Sequence, residues 1–189
     1  MKLYGSYTSP FVRHVRIVLL ETRQEFEFIE TDQAGSAAQS PTQRVPFLQD
    51  GDIFLTDSAS IIKYLREKVG QTYCQSAQAL DQLCLVNTAL DTTVNLFFIK
   101  RDGVDITQVP YLQRQAARVQ STLAELNQGT ITAIDSSKHY NDAQLRLACF
   151  ISWSKFRQQI DFSAFANLEN FYHRISGYAP FAATQPPQS

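Results

Sequence analysis

Apolar and polar positions change their period several times along the first 69 residues. Lys2-Leu3-Tyr4-Gly5 reads as a short strand. Pro10 at a first helical position, behind Ser9 as cap, predicts a helix with Phe11, Val15, Val18 and Leu19 on one side. Glu25-Phe26-Glu27-Phe28-Ile29-Glu30 alternates with period two and is strand-like. Residues 33–42, rich in Ala, Ser and Gln, read as loop or weak helix. Segments 47–49 and 53–55 flank Asp50-Gly51, a hairpin signal because both positions tolerate positive φ. Asp57 or Ser58 then caps a helix bearing Ile61, Ile62 and Leu65. The order β-α-β, connector, β-hairpin, α predicts one sheet with two parallel strands and an antiparallel hairpin.

From about residue 78 the period becomes helical. Leu83, Val86, Leu90, Val94 and Phe97 mark one long helix, and Leu112, Ala116, Val119, Leu123 and Leu126 a second that opens near Pro110. Asn141-Asp142-Ala143-Gln144 resembles a capping box, and the stretch behind it, through Trp153, is apolar nearly all round and therefore central. A last helix with Leu168, Phe171, Tyr172 and Ile175 ends at Gly177, with Pro180 beyond. The predicted architecture is an α/β domain over residues 1–72 and an all-α domain over 78–189, joined by a linker at about 70–77.

Composition narrows the partners. A chain of 189 residues with 44% hydrophobic and 19% charged residues can bury a proper core. A net charge of −1 offers no electrostatic footprint for nucleic acid or an anionic membrane. No uninterrupted apolar run is expected to span a bilayer, the first residues do not read as a signal peptide, and a cytoplasmic location is expected. Cys74, Cys84 and Cys149 form an odd set without a C-x-x-C pair, so they are expected to be reduced thiols. His14, His139 and His173 lack ligand spacing, and no metal is expected.

Three segments carry candidate chemistry. In Thr8-Ser9-Pro10-Phe11-Val12-Arg13 a hydroxyl stands at a helix mouth, where N–H groups and the helix field favour an anion; the same serine also reads as a plain cap. Val45-Pro46 offers backbone polar groups where a strand begins. Asp57-Ser58 puts a carboxylate and a hydroxyl at another helix entry, suited to a ligand end carrying both ammonium and carboxylate, or again simply capping. An anion site, a peptide-backbone site and an amino-acid-end site together suit a small acidic thiol peptide.

In order and spacing these segments resemble the N-terminal domain of cytosolic glutathione S-transferases, notably bacterial members with serine at the helix mouth, and the resemblance runs over almost the whole chain. It implies a thioredoxin-like first domain followed by an all-helical one. It implies glutathione as co-substrate, with Ser9 stabilising the thiolate and Tyr7 or Tyr4 as the phenolic alternative. Relatives carrying cysteine in place of Ser9 perform mixed-disulfide exchange, which a serine cannot. The resemblance also implies a cis Val45-Pro46 bond, whose neighbouring backbone groups would pair with the peptide. Arg44 would supply a cation for the glycyl carboxylate. Gln43 stands where the family often has glycine, and Asp57, the shorter counterpart of a usual Glu or Gln, would join Ser58 in holding the γ-glutamyl end. Tyr7, Phe11, Asn87 and Asp91 would line the pocket of an electrophilic, apolar second substrate. The implied activity is glutathione conjugation in detoxification by a homodimer. A non-catalytic glutathione-binding or interaction protein, and a glutathione-dependent lyase, isomerase or peroxidase, share the same first site.

Overall fold

A computed structural model describes residues 1–133 and 140–187; His139 lies outside the described residues. The chain divides into two compact units, Met1–Gln75 with Ser176–Ser189, and Ser76–Ile175. The first contains β1 (Lys2–Gly5), α1 (Pro10–Glu21), β2 (Glu27–Glu30), α2 (Gln33–Gln39), β3 (Phe47–Asp50), β4 (Ile53–Leu55) and α3 (Ser58–Lys68). The second contains α4 (Ala77–Arg101), α5 (Pro110–Gln128), α6 (Asp142–Phe156) and α7 (Ala166–Ile175). A short α8 (Ala179–Ala182), opened by Pro180, then packs on α1 within the first unit. The sequence pattern ended with α7 and did not include α8.

The first unit is a four-stranded mixed sheet in the order β2-β1-β3-β4. β1 and β2 are parallel, and the hairpin joins antiparallel through β3, as the alternating pattern predicted. Leu3 and Leu48 pair across β1 and β3 and meet Val15, Val18 and Leu19 from α1 and Ile61, Ile62 and Leu65 from α3. All eight side chains are fully buried, each worth about 1.5–3 kcal/mol of apolar transfer. Gly5 is required at the close approach of β1 and α1, because a Cβ there would lie 2.6 Å from Val12 Cγ1. Residues 33–39 are helical, with Asp32 Oδ1 accepting from the Gly35 N–H at 2.7 Å. The hairpin turn lies one residue later than its signal: Asp50 pairs with Ile53, so Gly51 and Asp52 are the loop, and only Gly51 has positive φ (58°). A single positive φ at the first loop position is the type II′ pattern, for which glycine is the residue of choice.

In the second unit the capping box forms. The Gln144 N–H donates to Asn141 Oδ1 (2.9 Å) and the Asn141 N–H to Gln144 Oε1 (3.0 Å). α6 is buried from Asp142 through Ser154 and is the inner helix, and Trp153 meets Phe97 edge-on at 5.6 Å. By length and composition α4 could cross a bilayer, which the sequence pattern did not anticipate; it packs against α5 and α6.

Candidate functional site at one end of the sheet

Strand register brings the three segments together. Tyr4 on β1 faces Phe47 on antiparallel β3, so the exit of β1 and the entry of β3 share one end of the sheet. Leu48 faces Leu55, which places the exit of β4 at that same end. Residues 6–9, Val45-Pro46 and Asp57-Ser58 therefore gather there, and α1 and α3 both start from it.

Each helix mouth is built locally. Ser9 caps α1 in extended conformation and accepts from the Val12 N–H at 3.3 Å, with Pro10 in the first turn. The Ser9 N–H donates to the Ser6 carbonyl (3.1 Å), and the Ser6 and Thr8 hydroxyls pair at 3.1 Å, ordering the loop. Of the two capping candidates for α3, Asp57 takes the role: its Oδ1 accepts from the Ala59 N–H at 2.7 Å. Asp57 is exposed, whereas Ser58 is buried. Neither α1 nor α3 carries an acidic residue in its first turn, but the Asp57 carboxylate already meets the positive end of α3, whereas α1 is capped by the neutral Ser9 and its dipole stays available to an anion.

The Val45-Pro46 bond is cis, and Pro46 is buried beneath a half-buried Val45. Before it, Gln43 holds a left-handed backbone (φ 52°), with its N–H donating to the Ser40 carbonyl at 2.9 Å and its own carbonyl accepting from Ser36 Oγ at 3.4 Å. A residue other than glycine thus takes the conformation that glycine adopts most readily. Arg44 is exposed beside it.

Two tyrosines neighbour the site on different partners. Tyr4 stacks on Phe47 with centroids 4.5 Å apart. Tyr7 packs on Phe28 of β2 (4.5 Å) and lies under the Arg16 guanidinium (4.8 Å), which also covers Phe28 at 5.5 Å. Burial pushes the Arg16 guanidinium below its ordinary value, with Tyr7 acting in the opposite sense. Since β2 lies on the far side of β1 from β3 and β4, the Tyr7 ring is drawn away from Val45 and Asp57. Phe11 is half-buried in the first turn of α1; Asn87 and Asp91, also half-buried, lie one turn apart on α4 in the second unit.

The sequence pattern missed the polar residues on the inner side of α1. Arg13 is only 2% exposed, and its Nη2 donates to the Phe181 carbonyl at 2.9 Å. Glu21 accepts from Tyr178 (2.7 Å) and pairs with Arg66 of α3 (2.7 Å). The available signal was an arginine and a histidine, Arg13 and His14, set between the apolar residues Val12 and Val15. A cavity of about 370 Å³ in the second unit, beside Lys155, Gln159 and Phe162, contains none of the expected site residues.

Residues 3–72 match the family profile described as glutathione S-transferase, N-terminal domain. The whole chain aligns over 209 positions, at 28% identity, with all of YibF, an uncharacterised GST-like protein of Escherichia coli (strain K12). A 75-residue stretch, 36% of this chain, is 40% identical to 35% of a probable glutathione S-transferase of Oryza sativa subsp. japonica. Among solved structures, a glutathione S-transferase of Methylobacillus flagellatus with glutathione bound superposes with TM-score 0.84 at 23% identity, covering 98% of this chain and 99% of that one. A glutathione transferase family member of Pseudomonas fluorescens Pf-5, also with glutathione bound, gives 0.83 at 24% identity, covering 99% of each chain.

Proposed function

We propose that this chain, which belongs to the cytosolic glutathione S-transferase family, binds glutathione at the common end of its sheet and holds the sulfur as a thiolate for attack on an electrophile. The observation that carries this reading is the convergence, through strand register, of the α1 mouth with its neutral Ser9 cap, the Asp57-Ser58 entry of α3 and the Val45-Pro46 backbone at one end of the sheet. Ser58 with nearby N–H groups takes the γ-glutamyl carboxylate and Asp57 its ammonium. The Val45 backbone pairs with the cysteinyl unit in the manner of an added strand. Gln43 borders the peptide, and Arg44 meets the glycyl carboxylate.

The chemistry then falls to Ser9. Its oxygen accepts from the Val12 N–H, which leaves the hydroxyl proton to donate to sulfur. A free thiol with pKa of about 8.5 is only a few per cent ionised at pH 7. Lowering that pKa by about 2 units takes roughly 2.7 kcal/mol, a demand that one hydrogen bond to a charged acceptor and a helix N-terminus meet together. Tyr7 is assigned to the pocket wall, because Phe28 and Arg16 hold its ring toward β2. Phe11 is assigned to the same wall. The working unit is a homodimer, a reading favoured by the exposed Ile53 and Phe54 on the edge strand β4.

Calorimetric titration with glutathione, followed by an aryl halide conjugation assay, tests this. Binding with turnover is expected. Binding without turnover across a broad electrophile panel would instead make the chain a glutathione-binding protein, and absence of binding would remove the reading altogether.

A further inference from the structure

We propose that Arg13 is a positioning residue for Ser9 and that the C-terminal residues 176–184 are its anchor, an inference that rests on the assignment of Ser9 above. Arg13 stands four residues after Ser9, and its backbone N–H donates to the Ser9 carbonyl at 3.0 Å. It therefore closes the helical turn that carries the hydroxyl. Its side chain leaves the helix for the C-terminal segment. There Nη2 donates to the Phe181 carbonyl (2.9 Å), Nε to Thr184 Oγ1 (3.3 Å), and the guanidinium lies 3.8 Å from the centre of the Phe181 ring. Thr184 is itself held, since its hydroxyl reaches the Pro180 carbonyl at 3.0 Å.

The same segment grips α1 elsewhere. Arg16 Nη1 donates to the Thr184 carbonyl at 3.4 Å, and the Tyr178 hydroxyl donates to Glu21 at the far end of the helix, where Glu21 also pairs with Arg66 of α3. Residues more than 150 positions away in sequence thus fix both ends of the helix whose mouth carries Ser9.

A buried arginine at this place needs a reason. A cation near a helix N-terminus opposes the dipole, and removing a guanidinium from water costs several kcal/mol unless its donors find acceptors. An apolar side chain would pack helix against segment without either cost. What the planar fork adds is direction: its donors meet their acceptors in one orientation only, and a lysine ammonium does not reproduce that geometry. The charged and titratable groups around this stretch are His14 and Arg16 on α1, Tyr7 in the preceding loop, Glu21 with Arg66 on α3, and Tyr178 in the segment. Arg13→Lys keeps the positive charge and Thr184→Val changes none, so neither variant alters the set of charges around the thiol.

The test uses the full chain and needs no turnover: the thiolate absorbance of bound glutathione is titrated against pH in Arg13→Lys and Thr184→Val, with calorimetry alongside. In both variants the thiolate fraction at neutral pH is expected to fall about three- to tenfold, while affinity for the peptide falls by no more than about fourfold, the loss that linkage to the thiol ionisation alone requires, and is unchanged at pH well below the thiol pKa. Should Arg13→Lys not fold, the near-isosteric Thr184→Val still carries the test. Val119→Ala, in the core of the second unit, controls for general loosening; it should lower the melting temperature and leave the titration unmoved. A titration unmoved in Thr184→Val, or moved as far in Val119→Ala, would overturn the inference and leave the glutathione site standing. Failure of the unaltered protein to bind glutathione would overturn the site and the inference together.

Discussion

Ser9 serves two roles through one oxygen, and the roles separate by measurement. Ser9→Ala removes the cap of α1, at about 1 kcal/mol, together with the proposed donor to sulfur. The expected result is a bound thiol with raised pKa and turnover lost at neutral pH but partly recovered at higher pH, because the hydrogen bond favours the ionised form. Tyr7→Phe should leave that titration unchanged; the reverse outcome would make the chain a tyrosine-type enzyme. Asp57→Ala and Ser58→Ala are each expected to weaken glutathione binding roughly ten- to a hundredfold, since each removes a partner of a charged group. Unchanged calorimetric affinity in both would reduce the pair to a helix cap. Gln43 offers a gain. Its left-handed backbone costs about 1–2 kcal/mol in an L residue, against about 0.5–1 kcal/mol for the extra chain entropy of glycine. Gln43→Gly should therefore raise stability by about 0.5–1 kcal/mol in urea unfolding.

Elements are tied at their ends by short polar clusters. At the end of the sheet away from the site, Asp50 of β3 accepts from Tyr64 (2.7 Å) and pairs with Lys68, joining the hairpin to the last turns of α3. Hydrogen bonds from Lys68 and then Tyr64 hold the Asp50 carboxyl below its ordinary value, while the bond to Asp50 raises Lys68 and Tyr64 above theirs. A depressed carboxyl stabilises the fold above its unfolded pKa and loses that contribution as pH falls through the folded value. The raised Lys68 and Tyr64 contribute below their unfolded values and lose it as pH rises through the folded ones. The stability difference between the unaltered protein and Asp50→Asn should thus be present at neutral pH and vanish in acid below the ordinary carboxylate range, as read from urea midpoints across pH. The pair is exposed, so the neutral-pH difference should be no more than about 1 kcal/mol.

At the scale of the whole molecule, the edge strand β4 leaves Ile53 and Phe54 about 40% exposed. Apolar side chains on an open sheet edge invite pairing with another chain unless something covers them. We expect a second copy to do so, and sedimentation at micromolar concentration should give twice the chain mass of 21.4 kDa. Phe54→Ser should shift that mass toward the monomer; a monomeric unaltered protein would refute the homodimer.

What the sequence determined by itself is what local physics encodes. Pro10 behind Ser9, the alternation through Phe26 and Phe28, the Asn141-to-Gln144 box and the apolar run into Trp153 each specify an element with no reference to distant residues, and the order of those elements leaves few sheets to build. Ser9, Val45-Pro46, Asp57 and Ser58 could be singled out as candidates for the same reason, since they stand at helix starts or at a strand entry, whereas Asn87 and Asp91, inside α4, came from the family resemblance alone. Tertiary structure decided the rest. Pairing register moved the turn from Asp50-Gly51 to Gly51-Asp52, because cross-strand partners outweigh a dipeptide preference. Packing on Phe28 and Arg16 gave Tyr7 its orientation. Arg13 became a buried anchor only because residues 176–184 return to cover α1, and no periodicity within either segment could announce a contact made across more than 150 residues of chain.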